Sequence, residues 1–112
     1  MITVVGFTLA AAVGALARAE AGRRWNRHEG FPFGTLVVNA SGSFLLGTLW
    51  GVAPPAITVL GLAGLGAFTT FSSFARDVVA LVEQRHVAQA AMYVGLSCIA
   101  GIAAAAVGVA LA

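Results

Sequence analysis

Thr69, Thr70, Ser72 and Ser73 alternate with Phe68, Phe71 and Phe74 just after Gly66. An aromatic ring has a negative face and a positive edge, so ring edges favour a small anion without the grip of a full charge. Conduction needs that compromise, because an ion must enter readily and still leave. The segment lies inside an uncharged run from Gly30 to Ala75, a composition suited to lipid. Hydrocarbon gives backbone amides no partners, and polar or irregular backbone survives there only when buried in protein or lining a wet cavity. The segment reads as the working centre of a membrane protein.

Other polar side chains raise the same question. Asn39 falls near the middle of a long apolar stretch, where its amide brings donors and lone pairs that lipid cannot satisfy. It either bonds a neighbouring helix as glue or lines a pore together with Ser41 and Ser43. Tyr93 and Ser97 lie four apart and share a helix face. That pair is either an interfacial tyrosine anchor or a short polar track. Phe71 and Phe74 also share a face, turned either to lipid or toward an ion path. Arg18 ends the first apolar segment as a topology signal, a snorkelling residue or a vestibule cation that raises local anion concentration. His28 and His86 fall in loops and are not spaced as a metal pair. Cys98 is alone, reads as a small packing residue and excludes an intrachain disulfide. No nucleophile–base pair and no phosphate-binding glycine loop is present, so the chain does not read as an enzyme.

These residues have to be held by helices. Of 112 residues, 60% are hydrophobic and 9% charged, with a mean hydropathy of +0.96. A soluble domain carries about a quarter charged residues. The chain is an integral membrane protein, expected as one domain over residues 1–112, since no polar stretch is long enough for a second module. Its net charge of +2 comes from arginines beside membrane segments, which more often set topology and touch headgroups than bind nucleic acid. The N-terminus lacks the basic start of a signal peptide and reads as a retained span.

A bilayer core takes about 20 residues of helix. On that basis the spans fall at about 2–22, 32–52, 56–82 and 87–111, with Pro54-Pro55 dividing the long uncharged run. The fold class is therefore all-α, with four transmembrane helices. The third has its hydroxyl-rich segment near mid-membrane, and a break there is the simplest reason for that composition. Gly47-x-x-x-Gly51, Ala11-x-x-x-Ala15 and Ser97-x-x-x-Gly101-x-x-x-Ala105 put small residues on one helix face, which allows close packing. So small a bundle also suggests an oligomer.

The chain resembles the small bacterial fluoride channels known as Fluc or CrcB. The likeness runs from Gly14 to Arg18, through Gly34-Thr35-Leu36-Val37-Val38-Asn39 with Gly42 and Phe44, to Gly66 through Phe74, with Tyr93 and Ser97 on the fourth helix. The resemblance implies an antiparallel dimer that passes fluoride passively out of the cell across the cytoplasmic membrane, through two pores built from both subunits. It assigns Phe71 and Phe74 as pore rings and Asn39 as a pore-facing amide. Tyr93, Ser97, Thr70 and Ser72 become polar groups along the path, and Arg18 a vestibule residue. It also implies a structural sodium ion on the dimer axis, held by the main-chain carbonyls of Gly66 and Thr69.

One feature sits apart from a homodimer of dual topology. Arg18, Arg23, Arg24, Arg27, Arg76 and Arg85 all fall on one side of the span map, which favours both termini on the opposite, outer side. A heterodimer with a related subunit of opposite orientation is the alternative. Two rival functions differ in class. A proton-coupled multidrug exporter needs a carboxylate inside the membrane, whereas Glu20 and Asp77 lie beyond Arg18 and Arg76. A non-conducting assembly subunit would leave the hydroxyl-rich segment without a purpose.

Overall fold

The computed structural model describes residues 1–25 and 31–112. The expectations for Arg27 and His28 lie outside the described residues. Helix α1 is Ile2–Trp25 and α2 is Phe33–Thr48. A π-helical segment, Ile57–Leu65, runs into the single turn α3, Gly66–Phe68, which is followed by α4, Phe71–Glu83, and α5, Val87–Leu111. Among the described residues there is no strand.

Among the described residues three stretches are long and apolar enough to cross a membrane: Ile2–Trp25, Ile57–Glu83 and Val87–Leu111. Helix α2 has 16 residues, roughly 24 Å at 1.5 Å each, short of a typical hydrocarbon core. It was expected to reach residue 52 and stops at Thr48. The Leu49 amide donates to Leu46 and Trp50 to Gly47, tightening the last turn, and Gly51 reverses the chain at φ 85°. Gly51 therefore serves the turn, and the expected Gly47/Gly51 packing face is reduced to Gly47. Helix α1 runs past residue 22 to Trp25, its last turns tied by Arg23 and Arg24 to Glu20, each at 2.6 Å. Such i,i+3 and i,i+4 pairs lend a helix end modest support.

Helix α2 packs along α5 at very close range. A Cβ on Gly47 would run into the Ala105 carbonyl, and one on Gly108 into the carbonyl of Phe44. Helix α1 lies against the π-helical segment and α3. Helix α4 joins α5 through Leu81, Ala90 and Tyr93, with Phe31, Leu36, Phe74 and Val78 around them. Most other large apolar side chains point outward, Leu16, Leu62, Ile99 and Ile102 among them. An apolar exterior of this extent belongs against lipid or another apolar chain.

Candidate functional site

The third membrane segment changes character twice. Gly61, Gly64 and Gly66 weaken its ordinary α preference, and its first part winds with the wider π repeat, a form frequent at functional sites. At Thr69 and Thr70 the backbone leaves helical space, with ψ 156° and then φ −153°, ψ 121°.

Two side chains take over the work of the interrupted ladder. Asn39 accepts the Thr70 amide on Oδ1 at 2.9 Å and donates Nδ2 to the Thr70 carbonyl at 3.2 Å. The Thr70 hydroxyl caps α4 by accepting the Ser73 amide at 3.1 Å. It also pairs with the Ser72 hydroxyl at 3.2 Å. A continuous helix would send the Thr70 amide to the Gly66 carbonyl and the Ser73 amide to the Thr69 carbonyl. Both donors are engaged elsewhere, so both carbonyls lose their helical partner. Thr69 stays tied to the preceding turn, its amide and hydroxyl each donating to Leu65 at 2.9 Å.

A cavity of ≈ 390 Å³ opens at this interruption. Asn39, Gly66, Thr69, Thr70, Phe71, Phe74 and Ser97 all line it. The Ser97 hydroxyl is buried without a hydrogen-bond partner, an acceptor or donor still to be satisfied. Cys98, read as a packing residue, is instead exposed on the same wall, one position round the α5 face from Ser97. The Phe71 and Phe74 rings lie 5.9 Å apart and tilted by 41°. Phe71 is 80% exposed, while Phe74 backs onto Tyr93 with ring centroids 5.2 Å apart.

Tyr93 is not on that cavity. It is 0% exposed, set edge-on to Phe31, and its hydroxyl donates to Asp77 at 3.2 Å. Arg18 and Ser72 line a second cavity of ≈ 480 Å³, together with Thr35, Thr70, Ser73 and Arg76. Thr70 belongs to both walls.

Two residues here were not singled out from the sequence. Arg76 and Asp77 read as interface markers, yet Arg76 follows Ser72 by four and Asp77 follows Ser73 by four. Residues so spaced share a helix face. For Arg76, which shares the second cavity with Ser72 and Ser73, that spacing was the available signal, whereas Asp77 is turned to Tyr93.

An all-helical chain whose long apolar helices can cross a membrane, with a cavity between them where hydroxyl, amide and aromatic side chains meet, belongs to the class of multi-pass membrane proteins. The chain belongs to the CrcB family: the family described as "CrcB-like protein, Camphor Resistance (CrcB)" matches residues 5–109. It is similar to Fluoride-specific ion channel FluC 2 of Haloarcula marismortui, 46% identical over 90% of this chain and 82% of that one. Fluoride-specific ion channel FluC 2 of Rhodococcus jostii is 36% identical over 93% of both chains. Fluoride-specific ion channel FluC 1 of Geobacillus kaustophilus is 41% identical over 80% of this chain and 79% of that one. These relatives are channels, not enzymes.

Proposed function

We propose that this chain is a fluoride-selective channel that lets fluoride leave the cell passively across the cytoplasmic membrane. One observation carries the reading: a single cavity at the helix interruption gathers the Asn39 amide, the Thr70 hydroxyl, the Phe71 and Phe74 rings and the unpartnered Ser97 hydroxyl, in a chain whose relatives are named for fluoride. Ring edges and hydroxyls replace part of the ion's hydration without fixing a full opposite charge. Thr70 lines both this cavity and the arginine-lined one, so two cations lie beside the chamber that holds the rings, a setting that favours an approaching anion. Hydrogen fluoride crosses lipid uncharged and ionises in the more neutral cytoplasm, so a passive exit driven by the membrane potential removes it.

The interruption at Thr69–Thr70 is read as a mid-membrane break in the third helix. Its exposed oxygens suit a structural sodium ion, because a hard cation takes oxygen ligands. The Gly66 and Thr69 carbonyls are the candidates, having lost the Thr70 and Ser73 amides to other acceptors. One chain supplies only these two ligands, so the ion would sit on an axis shared with a second, antiparallel subunit. The apolar exterior and the outward-facing Phe71 ring are in keeping with a pore completed by that subunit. The second subunit is either another copy or a related chain of opposite orientation. The arginine bias favours the second, and relatives numbered FluC 1 and FluC 2 are in keeping with it. The test is fluoride efflux from liposomes holding the purified protein, with chloride as control. Fluoride flux with little chloride flux is expected, and no fluoride flux would overturn the reading.

A further inference from the structure

We infer that Arg76 is a second vestibule cation, which with Arg18 concentrates small anions at the mouth of the path and sets how fast the channel conducts. The inference rests on the channel reading. Both guanidinium-bearing side chains line the ≈ 480 Å³ cavity, whose other walls include Thr35, Thr70, Ser72 and Ser73. A cavity with two cations and hydroxyl walls holds a positive potential and draws anions.

That potential survives only if nearby carboxylates do not cancel it. Glu20 is engaged by Arg23 and Arg24. Asp77 keeps its charge, since the Tyr93 hydroxyl it accepts is neutral, but it is turned to Tyr93 on α5 and lines neither cavity, so it offsets the two arginines only from outside the walls. Among the described residues neither Arg18 nor Arg76 is in an ion pair. The α4 N-terminus adds the same sign, since its first amides and dipole face the interruption. Thr70 lines both cavities, so the arginine-lined one lies directly beside the cavity of the Phe71 and Phe74 rings. Position alone would have left Arg76 as a topology marker, whereas this setting makes it part of the entry.

The experiment compares wild type, Arg76→Gln and Arg76→Lys in liposomes at low ionic strength and in about 1 M of a salt with a bulky impermeant anion, where the Debye length falls to roughly 3 Å. At low ionic strength Arg76→Gln should lower fluoride flux roughly three- to tenfold, a modest share of what charged clefts contribute to on-rates. The gap should close at high salt, and Arg76→Lys should keep most of the flux. Equal flux from wild type and Arg76→Gln at low salt would overturn the inference. So would a deficit that salt leaves unchanged, which marks a packing role. Wild type without fluoride flux would instead overturn the channel reading itself, and this inference with it.

Discussion

Asn39 and Thr70 bond each other twice, the asparagine amide accepting the Thr70 N–H at 2.9 Å and donating to the Thr70 C=O at 3.2 Å. The side chain thus stands in for a peptide group where the backbone of Thr69 and Thr70 is extended. Of the two readings of Asn39, the bond between helices is the one seen, linking α2 to the N-cap of α4, and the residue also forms part of the cavity wall.

Replacing Asn39 by Ala should therefore damage more than conduction. Two main-chain groups of Thr70 would be stranded, at about 1–3 kcal/mol each if buried, and less where lipid-state alternatives exist. Thermal unfolding in detergent should show a loss of about 2 kcal/mol or more. Asn39→Asp should fall between, because an ionised carboxylate still accepts the Thr70 amide but cannot donate to the carbonyl.

Phe71 and Phe74 should separate function from stability. Phe71 is 80% exposed and Phe74 stacks on buried Tyr93. Phe71→Ile should bring fluoride efflux to near background while leaving the melting temperature of the protomer almost unchanged. Phe74→Ile should lower both, because a core contact goes with the ring. Wild-type efflux from both variants would remove the rings from the mechanism.

Much of this was legible in the residues. Charge-free runs and Pro54-Pro55 marked the helices, and Val87–Leu111 matched its expected bounds. The run Gly66 to Phe74 stood out because its composition has little use in a lipid-facing helix, and within it Thr69 and Thr70 are the extended residues. Three things were hidden. The π winding of Ile57–Leu65 has no composition signature apart from its glycines. The early end of α2 depends on Gly51 adopting a left-handed turn, and small-residue spacing reads alike in a helix and just past one. Tyr93 looked like an anchor or a track residue, and only the tertiary fold brings Asp77, 16 positions away, to its hydroxyl.

The α2–α5 crossing should be intolerant of a single methyl group. Alanine at Gly108 would press its Cβ against the Phe44 carbonyl, a backbone atom that cannot step aside. Overpacking of this kind costs about 1–3 kcal/mol. Gly95 on the same helix has nothing within 4 Å of its would-be Cβ, so Gly95→Ala should be neutral or stabilising by up to about 1 kcal/mol. Equal melting temperatures for the two variants would contradict this packing.

Arg85 occupies a left-handed position at φ 63° after α4. The His86 amide donates to Leu81 at 2.8 Å and that of Arg85 to Val82 at 3.0 Å, the helix ending that glycine normally serves. Arg85→Gly should raise stability in detergent by about 1 kcal/mol, the rough cost of a side chain in that region.

Gly42 and Thr69 offer a compensating pair at the interruption itself. A Cβ on Gly42 would collide with the Thr69 Cγ2 methyl, its next neighbour being Phe68 Cδ2 at 3.4 Å. Gly42→Ala should push Thr69, and with it the carbonyl proposed as a sodium ligand, lowering both fluoride flux and any stabilisation by sodium over a bulky organic cation. Thr69→Ser removes that methyl and keeps the hydroxyl that donates to Leu65. The single change should be nearly silent, and the double variant Gly42→Ala/Thr69→Ser should regain most of the lost flux. Contacting residues show such coupling because one substitution relieves what the other strains. A double variant no better than Gly42→Ala alone would show that Thr69 is not what the methyl displaces.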